Sequence, residues 1–445
     1  MQKTARKKFS LSSFQLIILG FAALIVVGAL LLMLPISSRE GKMTPPGNAL
    51  FTATSAACVT GLVVYDTASH WSAFGQSVIL VLIQIGGLGV VTAAASISIL
   101  AGRKLSLKQR STMQESISAP KIGGIVKFTG FAVKVTFLTE FAGFLLLLPV
   151  FVKGFGARGI WMALFHSVSA FCNAGFDIMG TEAAQYQSLT SFAALPYLNA
   201  IIMLLIVVGG IGFLTWDDIL KNRHHIKKYR MQSKVVLLTS GILIVLPAVF
   251  FFIAEYSSLP LGERITGSLF QSVTTRTAGF NTQNLSVMTG AGKALMICLM
   301  LVGGSPGSTA GGMKTTTLAV LLSNLVSVFR RREDTNFFGR RIDLTVVKNA
   351  AAIFAMYIAL FTGGAAVISI ADGLPIGQCL FETASAVGTV GLTLGITPAL
   401  GGISKAVIVI LMFLGRVGAL TLVYAAASGP DKKLSRYPLE NITVG

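Results

Sequence analysis

The chain has 445 residues, 53% of them hydrophobic and 12% charged, against about 25% charged in an ordinary globular domain. With a mean hydropathy of +0.76 and 47 glycines scattered among apolar residues, it cannot cover its own surface in water, which excludes a soluble multidomain protein. The formal charge of +19 would raise nucleic acid in a soluble chain, but here it sits between apolar blocks, and nucleic acid is not an expected partner.

Taken in order, the first apolar run, residues 14–34, follows the basic start KTARKK. It is too long for a signal-peptide core and no small-residue cleavage site follows, so it reads as a retained anchor. Further spans are expected at 76–101, 125–150, 194–216, 234–254, 291–329 (interrupted), 349–371 and 403–427, each long enough to cross ~30 Å of hydrocarbon. Twenty-five of the 36 basic residues fall in 3–8, 103–127, 221–234, 330–348 and 432–436. These are the expected cytoplasmic loops and ends of a multi-pass plasma-membrane protein with eight spans and both termini inside. Cys58, Cys172, Cys298 and Cys379 all lie in apolar surroundings and read as buried free thiols. No Ser/His/Asp set, paired carboxylates or metal motif appears, so neither catalysis nor a covalent cofactor is expected.

Between the spans lie four segments that echo one another: LFTATSAACVTGL (50–62), LFHSVSAFCNAGF (164–176), LFQSVTTRTAGF (269–280) and LFETASAVGTVGL (380–392). Their closing glycines, Gly61, Gly175, Gly279 and Gly391, recur at intervals of 114, 104 and 112 residues. A second echo follows in the next span: QIGGLGVVT (84–92), VVGGIGFLT (207–215), LVGGSPGST (301–309) and FLGRVGALT (413–421). Two linked motifs in one order, four times over, imply four tandem helix–pore loop–helix repeats. The expected boundaries are 1–102, 103–220, 221–330 and 331–445.

Each echo has about a dozen residues before its glycine, too few to span a bilayer as a helix. A short helix returning as extended chain fits, and non-helical backbone at membrane depth must line a cavity or be buried in protein. Four such segments about one axis would offer rings of carbonyl oxygens, as replacing the hydration shell of an alkali cation requires. The candidate oxygens belong to Val59, Thr60 and Gly61; Asn173, Ala174 and Gly175; Thr277, Ala278 and Gly279; and Thr389, Val390 and Gly391. The plain alternative makes these glycines C-caps of interfacial helices.

With four span–loop–span units, one glycine per loop and the GG-x-G echoes, the chain resembles the Trk/Ktr/HKT potassium transporters over essentially its whole length. Its size and short termini resemble the B-type membrane subunit of bacterial Ktr systems. That resemblance implies an all-α fold with eight transmembrane helices in pseudo-fourfold arrangement around one central pore. It implies potassium as the transported ion, because Gly61 rather than serine stands in the first repeat, with sodium a candidate activating ion. It further implies a homodimer in the lipid bilayer and a cytosolic nucleotide-binding regulatory ring of RCK type on the basic loops. A proton- or sodium-coupled cation symporter with alternating access is the rival reading.

The third repeat interrupts its second span with GGSPGSTAGGMKTTT (303–317), five glycines, one proline and six Ser/Thr in 15 residues, which cannot stay helical. Gly303, Gly304, Ser305, Pro306, Gly307, Gly311, Gly312 and Lys314 are therefore expected in an intramembrane gate loop, or in a rigid kink. The fourth echo places Arg416 where the other three copies have the second glycine of the pair. A charge at that depth costs ~2.5–3.5 kcal/mol and lines a cavity or pairs, so Arg416 reads as a barrier or gate latch, or as half of a structural ion pair. Lys134 and Glu140 are expected to pair within the third span, and Asp66, Asp177 and Glu182 to lie near the outer mouth. Arg276 is expected to tie down the frame of the third segment, and His166 and Glu382 to bond within their short helices.

Overall fold

The structure, a computed structural model, describes residues 12–100, 105–117 and 123–418. Among them the elements are, in order, α1 Ser13–Met33, α2 Pro46–Ala57, α3 Thr67–His70, α4 Ala73–Leu88, α5 Val90–Leu100, α6 Leu107–Ile117, α7 Ile125–Phe155, α8 Arg158–Phe171 and α9 Pro196–Ile211. There follow α10 Phe213–Asn222, α11 Met231–Phe250, α12 Leu261–Thr274, α13 Gly290–Leu301, α14 Thr315–Phe329, the short hairpin β1 Asn336–Phe337 and β2 Arg340–Arg341, α15 Leu344–Asp372, α16 Ile376–Gly388 and α17 Gly402–Val417. The termini, including the basic segments 3–8 and 432–436, lie outside the described residues.

Local chemistry sets several of these ends. Ser12 and Gln15 form a reciprocal capping box on α1. Pro46 and Pro196 occupy the first turns of α2 and α9, where a missing N–H costs nothing. Asp343 accepts from the Thr345 amide at 2.7 Å to open α15.

Four helices (α1, α7, α11 with its π-helical extension to Glu255, and α15) are each long and apolar enough to cross a membrane. They present large side chains such as Val26, Phe137, Phe141, Leu246 and Ile370 outward, the surface hydrocarbon requires. The second span of repeats one and two differs from the expected straight helix: α4 and α5 bend by 92° at Gly89, and α9 and α10 by 98° at Gly212. Both hinges share one backbone state, Gly89 at φ 85°, ψ 131° and Gly212 at φ 94°, ψ 142°, a region essentially reserved for glycine. Gly418, where α17 ends, repeats it at φ 89°, ψ 132°, and the expected continuation to 427 lies beyond the described residues.

Packing runs in a cycle. The helix that follows each glycine segment contacts another short helix: α4 on α8, α9 on α12, α13 on α16 and α17 back on α2. Two large apolar clusters fill the wall, one around Phe151, Phe165 and Phe171, the other around Phe51, Phe361 and Phe381. The four short helices α2, α8, α12 and α16 form the inner layer, with the C-terminal half of each buried.

Candidate ion-conduction site

The four glycine segments leave the C-terminal ends of α2, α8, α12 and α16 in one repeated conformation. The residue two before each glycine (Val59, Asn173, Thr277, Thr389) is left-handed, at φ 57°, 59°, 69° and 51°. The glycines follow at φ 90°, 66°, 83° and 93°. Positive φ at a β-branched residue is a genuine outlier; it recurs at Val59, Thr277 and Thr389, with Asn173 completing the set.

Gly61 abuts the Ala174 carbonyl, Gly175 the Ala278 carbonyl, Gly279 the Val390 carbonyl and Gly391 the Thr60 carbonyl. This sequence of neighbours closes on itself after four steps. A Cβ on Gly175 would stand 2.6 Å from the Ala278 oxygen, closer than side-chain carbons approach, so only glycine fits without moving its neighbour. All twelve candidate residues are thus brought to one place, and they are buried there.

A hydroxyl at the same register of each short helix holds the turn. Ser55 Oγ accepts from the Gly61 amide at 3.1 Å and Ser385 Oγ from the Gly391 amide at 3.0 Å. Ser169 Oγ donates to the Phe176 carbonyl at 2.7 Å and Thr274 Oγ1 to the Phe280 carbonyl at 2.5 Å. The spacing of the glycines alone does not single out these hydroxyls. The signal was present: the sixth residue of all four copies is Ser or Thr.

Above the glycines, on the side reached by the chain after each segment, lies a cavity of about 330 Å³ lined by Gly61, Gly175, Gly279 and Gly391 together with Asp66 and Asp177. Asp66 Oδ1 and Oδ2 accept from the amides of Ala68, Ser69 and Tyr186. It therefore organises the loops as well as facing the cavity. Burial pushes the Asp177 carboxyl up to about 7, and the nearby Asp66 charge adds to the rise. Glu182 is exposed and stands apart from this cavity.

Below the glycines the interrupted segment of repeat three crosses the molecule. The Gly303 amide donates to Met313 at 2.7 Å, the Ser305 amide to Gly210 at 2.9 Å and the Phe213 amide to the Gly307 carbonyl at 2.9 Å. Ser305 and Thr315 hydroxyls pair at 3.1 Å across the loop base, with the Thr315 amide on the Gly304 carbonyl at 3.1 Å. Pro306 presents its carbonyl to the hinge at Gly212, and Gly311 and Gly312 lie against Thr389 and Gly388 of repeat four. Lys314 Nζ donates to Ala310 at 2.7 Å. Arg416 reaches across: it donates to the Thr309 carbonyl of the loop and to the carbonyls of Gly86 and Gly87 on α4, the last at 3.0 Å. It makes no salt bridge among the described residues.

The remaining sequence candidates divide. His166 Nδ1 bonds the Met162 carbonyl at 2.8 Å within its own helix. Glu382 instead accepts from Thr393 and Thr397, which follow the fourth glycine, so it braces the exit of the segment. Arg276 donates to Ser240 at 3.2 Å on α11, tying the third segment to the wall. Lys134 and Glu140 do not pair: six residues apart, they occupy different faces, Lys134 exposed and Glu140 buried against Cys172 at 3.6 Å. Cys58, Cys172 and Cys379 are buried free thiols, whereas Cys298 is exposed.

The family model of TrkH, a cation transport protein, matches residues 3–437. The potassium/sodium uptake protein NtpJ of Enterococcus hirae is 40% identical across 100% of this chain and 99% of its own. Ktr system potassium uptake protein B of Bacillus subtilis is 38% identical, covering 97% of this chain and 96% of its own, and that of Vibrio alginolyticus 33%, covering 97% and 94%. The crystal structure of the potassium transporter TrkH from Vibrio parahaemolyticus superposes with a TM-score of 0.73 over 96% of this chain and 87% of that one, at 18% identity, which shows a shared fold. These relatives are cation transporters, not enzymes. The chain belongs to the Trk/Ktr family of cation transport proteins.

Proposed function

We propose that this chain is the membrane subunit of a potassium-uptake system and conducts the ion through a filter built from Gly61, Gly175, Gly279, Gly391 and the two residues before each. Its eight spans are α1, α4–α5, α7, α9–α10, α11, α13–α14, α15 and α17, in pseudo-fourfold order about one pore, with the repeats dividing near 102, 220 and 330. The observation that carries the reading is the four-step closure of glycine on carbonyl. Carbonyl oxygens converging from four sides replace a cation's water shell. The negative ends of α2, α8, α12 and α16 add a favourable potential.

The upper cavity faces outside, because the basic loops mark the inside. There Asp66 and Asp177 raise the local cation concentration. A membrane potential of roughly 150 mV, negative inside, is worth about 3.5 kcal/mol per monovalent ion, which drives uptake without a nucleotide. Segment 303–314, held by Arg416, is the gate. A relative named for potassium and sodium supports sodium as a second or activating ion. The Ktr-system relatives and the sequence resemblance support a homodimer with both termini inside, regulated by a cytosolic nucleotide-binding ring of RCK type docked on the basic loops.

The test is potassium flux into proteoliposomes of the purified chain without valinomycin. Flux that is abolished by Gly175→Arg in folded protein and indifferent to an imposed proton gradient is the expected result. No flux, or flux that strictly requires the proton gradient, overturns the reading, the latter in favour of symport.

A further inference from the structure

Beneath the gate lies a lower cavity of about 260 Å³, lined by Glu115 and Ser116 of α6, Ser308 and Lys314 of the crossing loop, Tyr357 of α15 and Arg416 of α17. Among the described residues its charged lining consists of two cations and one carboxylate. Both cations are committed to backbone carbonyls, Lys314 to Ala310 and Arg416 to Thr309, Gly86 and Gly87. Glu115 is not: its Oε2 is buried with no hydrogen-bond partner, and the hydroxyl of Ser308 in the same cavity is likewise orphaned. Buried polar oxygens without partners carry a desolvation penalty, and two at one cavity point to an occupant that both can accept.

The carboxylate is held in place by its helix. α6 opens with a reciprocal Ser106–Gln109 cap and packs against α1 and α5. Thr112 Oγ1 donates to Ser13 on α1 at 3.2 Å. Ser116 lies beside the hinge at Gly89. None of this explains why α6 brings an acid to a site where the other charged side chains among the described residues are Lys314 and Arg416.

We propose that Glu115 and Ser308 form a transit site for a rehydrating monovalent cation on the inner side of the gate, an inference that rests on the potassium-conducting reading above. An ion leaving the filter meets Arg416 and Lys314, whose charges repel it. The Glu115 carboxylate offsets one of them and supplies an oxygen ligand at the point of greatest repulsion. Ser308 rides on the crossing loop, so the second ligand moves with the gate.

The experiment compares wild type, Glu115→Gln and Glu115→Asp in proteoliposomes, with potassium flux read at low ionic strength and at 1 M choline chloride. Removing one charge at contact distance corresponds to a roughly fivefold loss of flux in a watery cavity. The loss should shrink to about 1.5-fold at 1 M salt, where the screening length falls to about 3 Å. Glu115→Asp keeps near-normal flux, and the potassium-to-sodium flux ratio is unchanged in all three, because selection occurs above. Wild-type flux with a Glu115→Gln variant that matches it at every salt concentration overturns this inference alone. So does a deficit undiminished by salt, which would mark a structural role. Absence of flux in wild type overturns the potassium reading and this site with it.

Discussion

Replacing Arg416 by Gln tests the gate most sharply, because the guanidinium joins two elements that must separate for an ion to pass. Its three acceptors are the carbonyls of Thr309 on the loop and of Gly86 and Gly87 on α4. Glutamine is shorter and uncharged, and it keeps at most one of these contacts. Hydrogen bonds to a charged donor are worth about 1.5–3 kcal/mol each, and the low end applies because an opened gate lets water solvate the arginine. Losing two then shifts the closed-to-open balance by about 3 kcal/mol, a factor on the order of 100. Potassium flux of the purified chain in proteoliposomes should rise ten- to a hundredfold for Arg416→Gln and by an intermediate amount for Arg416→Lys, which keeps the charge but cannot fork. Unchanged or reduced flux, from a variant with wild-type Tm and elution volume, would refute the latch.

Further expectations concern the frame of the filter and its mouth. Ser55→Ala with Ser385→Ala removes the acceptors of the Gly61 and Gly391 amides; it should lower the potassium-to-sodium flux ratio severalfold at about 2–6 kcal/mol of stability, the cost of two orphaned buried donors, and an unchanged ratio would dismiss their role. Gly212→Ala forces a Cβ to 2.6 Å from the Pro306 carbonyl at φ +94° and should cost about 1–3 kcal/mol, whereas Gly241→Ala, with nothing within 4 Å of its Cβ, should be neutral or gain about 0.5–1 kcal/mol from helix propensity; thermal melts read both signs. Because the Asp177 carboxyl titrates near 7, it is charged above that pH and neutral below. Uptake at low ionic strength should therefore fall as external pH drops from 8 to 6, and Asp177→Asn should flatten that profile at the lower level.

The architecture was legible where glycine and repetition coincide. Four echoes at similar intervals led to the segments that the structure brings together, and the proline- and glycine-rich run is non-helical from Gly303 to Lys314, although its last three threonines open α14 rather than extending the loop to 317. The bends at Gly89 and Gly212 were not legible, because a single glycine in an apolar run lowers helix propensity by only ~1 kcal/mol and hydropathy carries no information on direction. The last glycine of the first, second and fourth echoes, Gly89, Gly212 and Gly418, was nonetheless the one residue free to adopt φ near 90°. The bracing hydroxyls escaped for another reason: Ser and Thr recur throughout these segments, and only the register across four copies distinguishes Ser55, Ser169, Thr274 and Ser385. Glu140 was assigned to Lys134 by proximity in sequence, but six positions along a helix turn a side chain to a different face.

Everything in the account depends on a cation lying among the carbonyls of Thr60, Ala174, Ala278 and Val390. Crystals grown in rubidium or thallium salts would locate it by anomalous scattering. The account predicts a peak on the axis enclosed by Gly61, Gly175, Gly279 and Gly391, weakened by Gly175→Arg. A well-ordered structure with that axis empty and the cation bound elsewhere would contradict it.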